Sequence, residues 1–281
     1  MRKDKIKNYE LYKTKFLNGM SMAKIAKEYK ICPYNLGKAL KEDGVIVVSN
    51  NQRHKYNTAF FKHIDNEEKA YWLGFFYADG YVGKRTTMEL ALAKVDENHL
   101  EKFRDCIAPG VLLENKKIMF KNQIFHAVRL TFTSKEIKEQ LSKLNCLNNK
   151  SLTLQFDKNM LSSDLNRHFI RGYFDGDGSV YKMGWTLSGN LGFLTALQDY
   201  FIEHIKGYTP VNIFKDKRSN VYSLSKGTPR AALKFLHYIY KDATIYLERK
   251  YKKYIELAKH LPQRTEMSVS KSRKKSGRLK C

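Results

Sequence analysis

The chain contains Trp72-Leu-Gly-Phe-Phe-Tyr-Ala-Asp-Gly80 and, further on, Ile170-Arg-Gly-Tyr-Phe-Asp-Gly-Asp-Gly178, two stretches with a shared pattern. Both read as helices that carry small residues four positions apart, which places those residues on one helix face. A face of small residues lets two helix backbones approach closely. We therefore predict a helix–helix interface, and its small residues are Gly74, Ala78, Gly172 and Gly176.

Each stretch ends in the dipeptide Asp-Gly, as Asp79-Gly80 and Asp177-Gly178. Glycine there is typical of a left-handed helix C-cap, but a carboxylate is unfavourable because the C-terminal end of a helix repels anions. In two parallel packed helices the carboxylates would also repel each other, and a shared divalent cation would remove that cost. A lone Asp-Gly is an ordinary helix stop. The recurrence after 98 residues, from Asp79 to Asp177, instead favours a duplicated α/β unit.

These stretches resemble the paired motifs of the LAGLIDADG homing endonucleases, in their single-chain form with two motifs. The resemblance covers residues 60–260. The lead-in at 64–72 and the closing segment at 243–251 look like phage and bacterial members of that family. Tyr77 stands where the first Asp of the motif would be, whereas the second copy keeps Asp175.

The resemblance implies an α+β fold. Two pseudo-symmetric αββαββα repeats would pack through the motif helices, their sheets would form a DNA-binding saddle, and a small all-α unit would precede them. It also implies a nuclease that hydrolyses both strands of a long DNA duplex with Mg²⁺ (or Mn²⁺). The second acid of each motif holds the metal in that family, which matches Asp79 and Asp177.

The family also places polar or basic side chains around its metals, and Lys94 and Lys150 match two such positions in the first repeat. The corresponding positions of the second repeat look like Gly189 and the neighbourhood of Asp242, neither of which is basic. We therefore expect the two strands to be cut at unequal rates. For each lysine alone, a solvated surface charge is the alternative.

Apolar periodicity supports the α+β interpretation. Helices are predicted at 67–79, 96–107 and 164–177, and alternation of apolar and polar residues predicts strands at 88–92 and 128–132. The alternating run at 181–187 reads as one further strand. Such alternation is typical of an antiparallel sheet with one face on helices and one polar face.

The net charge of +24 indicates a polyanionic partner. The segment from Arg264 to Cys281 accounts for about six of these charges, so most of the charge belongs to the remainder of the chain. Double-stranded DNA is the first partner to consider, and its binding should weaken steeply with salt. A basic protein that is merely soluble is the alternative.

The four cysteines, Cys32, Cys106, Cys146 and Cys281, are scattered singly. Because no C-x-x-C pair exists, the sequence indicates neither a zinc ribbon nor a disulfide framework. The chain shows no apolar run long enough for a membrane helix and no signal-peptide h-region at Met1. We expect an intracellular, cytoplasmic monomer that is freestanding or intron-borne.

Five regions are predicted. Residues 1–45 are predicted to form a helix-turn-helix-like DNA-binding unit, and a small helical cap is the alternative. The other regions are a basic linker at 46–63, the first repeat at 64–155, the second repeat at 156–262 and a basic disordered tail at 263–281. A helix-turn-helix reads bases from its second helix, and the candidates there are Tyr34, Asn35 and Lys38.

The polar sheet faces are predicted to contact DNA, because a two-stranded β-ribbon fits the major groove. The candidate residues are Arg129, Thr131, Lys182, Thr186, Lys215, Lys217 and Arg218. Two other functions remain open on this scaffold: an intron maturase, whose partner would include intron RNA, and a non-catalytic DNA-binding regulator. Retention of both Asp79 and Asp177 argues against a nuclease that has lost its activity.

Overall fold

The computed structural model describes residues 6–47, 55–120, 122–148, 150, 153–217 and 220–259. The described part opens with three short helices, α1 (Tyr9–Leu17), α2 (Met22–Tyr29) and α3 (Pro33–Glu42). Ser21 starts α2, because its side chain accepts a hydrogen bond from the Lys24 amide at 3.2 Å. The three helices bury a small core of their own, formed by Tyr9, Tyr12, Phe16, Ile25, Leu36, Ala39 and Leu40.

Two units with the same order of elements follow. The first comprises α4 (Glu67–Asp79), β1 (Gly80–Val82), β2 (Thr87–Ala93), α5 (Glu97–Ile107), β3 (Glu114–Phe120), β4 (Gln123–Thr133) and α6 (Lys135–Lys143). The second comprises α7 (Ser163–Asp177), β5 (Gly178–Tyr181), β6 (Gly184–Gly189), α8 (Leu191–His204), β7 (Ile213–Lys215), β8 (Tyr222–Lys226) and α9 (Pro229–Tyr240), and α10 (Glu248–Lys259) follows it.

Each unit builds one four-stranded antiparallel sheet. The strand orders are β1-β2-β4-β3 and β5-β6-β8-β7, which are the same order in the two units. The registers also correspond, because Gly80 pairs with Leu90 and Gly178 pairs with Leu187. The predicted α+β fold with two αββαββα repeats is confirmed.

The two repeats pack through α4 and α7. A β-carbon at Gly74 would lie 1.9 Å from the carbonyl oxygen of Phe169, and one at Gly172 would lie 1.9 Å from that of Tyr71. Further along, a β-carbon at Gly176 would lie 2.3 Å from the Ala78 β-carbon. The helices are therefore parallel and their backbones touch, as small residues on a shared face allow.

The glycines that follow these helices have a different role from the one predicted. Gly80 (φ −70°) and Gly178 (φ −94°) are extended, so the expectation of a left-handed C-cap is wrong at both positions. A β-carbon at either one would lie 2.4 Å from a ring carbon, of Phe76 or Phe174 respectively. Glycine is needed because the first strand leaves each helix directly against an aromatic ring.

Asp175 and Tyr77, which occupy the same position of the two motifs, are both buried and belong to the core. The Asp175 carboxylate accepts hydrogen bonds from the hydroxyl of Tyr240 at 2.6 Å, the hydroxyl of Tyr71 at 2.8 Å and the amide of Leu247 at 2.7 Å. Tyr77 donates to the carbonyl of Leu144. Asp175 thus ties α7 to α4 and to the end of the second repeat.

Replacement of Asp175 by asparagine should destabilise the protein by about 3 kcal/mol, because one buried donor loses its acceptor and an amide group then faces it. Urea unfolding followed by circular dichroism measures the change. Asp199→Asn, at an exposed carboxylate in α8, is the matched control and should change little. Equal stability of the two variants would contradict the role given to Asp175.

Two strands differ from their prediction. The run at 181–187 is the tip of a hairpin: β5 ends at Tyr181 and β6 begins at Gly184, so the apparent alternation spans a turn. The αββαββα order includes β3, but its position was not predicted, because its sequence Glu-Asn-Lys-Lys-Ile-Met-Phe lacks a clean alternation.

Candidate metal centre and nucleic-acid interface

Asp79 and Asp177 lie side by side at the carboxyl ends of α4 and α7. Each is the last residue of its helix, and the next residue begins β1 or β5, an edge strand of its sheet. A β-carbon at Gly176 would lie 3.3 Å from an Asp79 carboxylate oxygen, so the two helix ends are in contact. The pair therefore occupies the junction between the two sheets.

The surroundings of the two acids favour their protonated forms. Burial, followed by the nearby Asp177 charge, raises the pKa of Asp79 to about 6, although its side chain still reaches solvent. Burial also raises the pKa of Asp177. Because two adjacent carboxylates are costly to ionise, a cation bound between them would stabilise their charged forms.

Two buried lysines sit directly behind the acids. The ammonium of Lys150 donates to the carbonyl of Ala78 at 3.1 Å, and that of Lys250 donates to the carbonyl of Gly176 at 3.0 Å. Ala78 and Gly176 are the same position of the two motifs, so the contacts are related by the pseudo-symmetry. Lys250 also donates to the carbonyls of Phe174 (3.0 Å) and Asp175 (2.6 Å). Positive charge at a helix C-terminus is favourable. Both lysines therefore offset part of the rise in pKa that burial causes in the two acids.

Sequence reasoning missed Lys250. The second repeat was expected to have no basic residue here, and the corresponding position was expected near Asp242. The Asp242 side chain is instead 76% exposed, beside Lys241. That expectation is wrong. The chain spacing contains the signal, because Lys150 follows Asp79 by 71 residues and Lys250 follows Asp177 by 73.

Lys94 lies at the end of β2, in a short 3₁₀ turn. Its ammonium donates to Glu97 at 2.7 Å and to the Asn115 side chain at 2.8 Å. The charges that act most on Asp79 come from Asp177, Lys250, Lys150 and Arg249, and Lys94 is not one of them. Its catalytic role stays a prediction.

The open face of the first sheet, turned away from the helices, is electrically balanced. Arg129 donates to Glu89 at 2.8 Å and to Glu114 at 3.0 Å, and Lys116 pairs with Glu114 at 3.0 Å. Thr131 pairs with Glu89 in the register on the same face. The expected basic surface is therefore absent around Arg129, because cross-strand carboxylates neutralise it.

The open face of the second sheet carries hydroxyl groups. The register pairs Thr186 with Ser225 and Ser188 with Ser223, and the Thr186 and Ser225 hydroxyls are 2.9 Å apart. The basic candidates lie elsewhere than predicted: exposed Lys182 is in the β5–β6 turn and exposed Lys217 follows β7. Lys215 pairs with Tyr222 on the opposite side of the sheet, and Arg218 lies outside the described residues.

The three base-reading candidates of the N-terminal unit all lie on the outer side of α3. Tyr34 is 69% exposed, and Asn35 and Lys38 are exposed as well. α2 and α3 are joined by a short turn in which Lys30 adopts a left-handed conformation (φ 54°). This geometry permits a helix-turn-helix, whose contact with DNA stays a prediction.

The donor chemistry at Asp79 and Asp177 fits Mg²⁺. Within the described ranges, no group of three or more His, Cys, Asp or Glu side chains is placed to hold a metal ion, so a closed, fully protein-ligated site is not built there. Mg²⁺ needs no such group, since it binds through one or two carboxylates and keeps waters or substrate phosphates as its other ligands. Two carboxylates beside an open surface satisfy that requirement.

Cation binding at this pair should depend on pH. Because the pKa of Asp79 is raised to about 6, a proton competes with the cation below that pH. We expect the affinity for Mn²⁺ to fall about tenfold for each pH unit below about 6 and to level off above it. Isothermal titration at several pH values measures this dependence. An affinity that is unchanged between about pH 5 and pH 7 would contradict the assignment of Asp79 as a ligand.

None of the described helices is long and apolar enough to span a membrane. No family model matches the chain. One curated relative, the replication factor C small subunit of Methanocaldococcus jannaschii, is 31% identical over 123 residues, which is 44% of this chain. The match spans 6% of that protein's length.

Three of the solved structures to which the chain is similar are the following. A mutant of I-SmaMI has a TM-score of 0.45 at 14% identity, with 69% of this chain and 90% of that chain covered. The I-LtrWI LAGLIDADG homing endonuclease bound to target DNA has a TM-score of 0.45 at 10% identity, with 73% and 91% covered. The LAGLIDADG homing endonuclease I-GzeII in complex with its DNA target has a TM-score of 0.45 at 13% identity, with 69% and 89% covered.

Proposed function

We propose that this protein is a site-specific endonuclease that hydrolyses both strands of a long DNA duplex with the help of a divalent cation. One observation carries the proposal: Asp79 and Asp177 meet where the two sheets join, each at the end of one of two parallel helices in contact. A structural protein would gain nothing from two adjacent carboxylates whose pKa values burial raises.

The pseudo-symmetry accounts for cleavage of both strands. Each acid belongs to one repeat and has one buried lysine behind it, Lys150 for Asp79 and Lys250 for Asp177. Mg²⁺ held by the pair would lower the pKa of a bound water and neutralise charge on the phosphate that is cut. The protein's own part is to hold the two carboxylates side by side at the junction, where a bound cation would stabilise their ionised forms.

The charge of the chain supports DNA as the substrate. The net charge is +24, while the four charged side chains Glu89, Glu114, Lys116 and Arg129 on the first open face compensate one another. The remaining basic residues would attract the phosphate backbone from outside these faces, and the faces would be left to contact base edges. The N-terminal unit at residues 1–45 would add a further contact through α3.

The proposal is tested by incubating the purified full chain with a library of random duplexes and Mg²⁺ and sequencing the ends that are produced. We expect one recurring sequence to be cut and no product in the presence of a chelator. Binding of a recurring duplex without cleavage would replace the proposal with the non-catalytic regulator. Preferential binding of structured intron RNA over duplex DNA would favour the maturase.

A further inference from the structure

The open face of the first sheet carries an exposed apolar patch. The register places Ala93 beside Ala127 and Phe125 beside Ile118, all on the same side as Arg129. Ile118 is 50% exposed and Phe125 is 48% exposed. Ala91, which pairs with Arg129, and Ala93 are exposed, whereas Ala127 is only 8% exposed. The four exposed residues Ala91, Ala93, Ile118 and Phe125 form what we call the apolar patch.

The apolar patch is not a part of the core that happens to be open. The core side of the same strands carries Leu90, Leu92, Val128 and Leu130, which are buried beneath the helices. The patch faces the other way, beside the compensated charges of Glu114, Lys116 and Arg129. A surface that exposes apolar groups within a basic protein points to a ligand that is both anionic and apolar in part.

A DNA duplex offers such a combination in its major groove. Thymine presents a C5-methyl group there, and apolar side chains such as Ala and Phe contact it. The edges of G·C pairs present polar groups, which would lose hydrogen bonds against an apolar surface. Building on the proposed function, we propose that the apolar patch recognises thymine methyl groups in the half of the DNA target that lies on the first sheet.

The second sheet shares only part of this chemistry. Ser188 and Ser223 occupy the register positions that Ala91 and Arg129 occupy in the first sheet. One exposed aromatic residue, Phe214 (63% exposed), pairs with Ser223 on this face. A hydroxyl group can donate or accept a hydrogen bond, so serine and threonine accommodate any base. The preference for thymine is therefore stronger in the half of the target that lies on the first sheet, and the two halves differ in sequence.

The test begins by selecting random duplexes that bind the full chain, first with the wild type and then with a double variant, Ile118→Thr with Phe125→Thr. Both side chains are exposed, so the variant should keep the fold, which circular dichroism verifies. We expect thymine enrichment at a few neighbouring positions with the wild type and its loss at those positions with the variant. Equal enrichment in both selections would overturn the proposal.

The second step replaces thymine by uracil at the enriched positions, which removes only the methyl group. Binding by the wild type should weaken about fourfold for each methyl lost, since one buried methyl group contributes about 0.8 kcal/mol. The Ile118→Thr/Phe125→Thr variant should bind both duplexes alike. Uracil at thymines of the other half of the target should weaken binding less, and an equal loss in both halves would overturn the proposal.

A matched control comes from the opposite face of the same hairpin. Met119 pairs with Ile124 there, and these side chains are 75% and 58% exposed. Replacement of both by threonine should leave the preference for thymine intact, and loss of the preference would overturn the proposal. Absence of any duplex binding would overturn the proposed function as well, whereas binding and cleavage without a thymine preference would overturn this inference alone.

Discussion

Replacement of Asp79 by asparagine is expected to abolish cleavage of the preferred duplex and, at the same time, to make the protein more stable. The amide has the shape of the carboxylate but holds a divalent cation poorly, so the rate should fall at least about a hundredfold. Asp177→Asn should have the same effect on its strand. Strand-resolved cleavage of an end-labelled duplex measures the loss.

The stability gain follows from the sign of the pKa shift. Burial holds the pKa of Asp79 in the folded protein at about 6, above the ordinary aspartate value of 3.8, so the folded state binds the proton more tightly than the unfolded state. Ionisation therefore costs stability progressively as the pH rises from about 4 through about 6. Asp79→Asn removes that cost. Because the Asp79 side chain is exposed and solvent screens part of the shift, we expect a gain of only about 1 kcal/mol at neutral pH and none at pH 4.

The control is Asp199→Asn, which removes an exposed carboxylate of α8 that belongs to neither motif. It should leave the rate of cleavage and the free energy of unfolding unchanged. Full double-strand cleavage by Asp79→Asn, or a loss of stability at neutral pH, would show that this carboxylate does not belong to a cation site.

The second large effect concerns the contact between α4 and α7. Gly172→Ala should lower the free energy of unfolding by more than about 4 kcal/mol, because the new β-carbon would meet backbone that cannot move aside. Its nearest neighbours would be the carbonyl oxygen of Tyr71 at 1.9 Å and the amide nitrogen of Phe75 at 2.8 Å. The separation of the helices would also pull Asp79 and Asp177 apart. Thermal unfolding and Mn²⁺ titration measure the two consequences.

Gly192→Ala is the matched control, because Gly192 also lies in a helix but in open surroundings. Its β-carbon would have its nearest neighbour, an Asn190 side-chain oxygen, at 3.7 Å. Alanine is the better helix former, so this variant should be stabilised by up to about 1 kcal/mol. A Gly172→Ala variant as stable as Gly192→Ala would disprove the close packing of the motif helices.

Local patterns in the sequence were sufficient to predict the helices and the repeat. The motif helix was predicted at its observed bounds, 67–79, although the left-handed cap expected at Gly80 is not formed. The α+β fold was implied by the family resemblance of the two motifs and supported by the alternation of apolar residues. These features depend on neighbours in the chain, which a sequence displays directly.

The contacts between distant strands and helices could not be predicted in the same way. The charge of Arg129 is compensated by Glu89 and Glu114, which lie on the neighbouring strands. Lys215 was placed on the wrong side, because a strand of three residues gives too short a pattern to fix its register. Lys250 reaches α7 from a helix more than seventy residues later, and its role emerges only when the repeats are superimposed.

The most direct test of the account is a cleavage assay on the selected duplex with each strand labelled separately, in Mg²⁺ and in chelator. Asp79 and Asp177 meet at one junction, so we expect both strands to be cut within a few base pairs of each other and only when the cation is present. Cleavage that persists in the chelator, or an intact duplex in Mg²⁺ despite tight binding, would contradict a shared cation site at the junction of the two repeats.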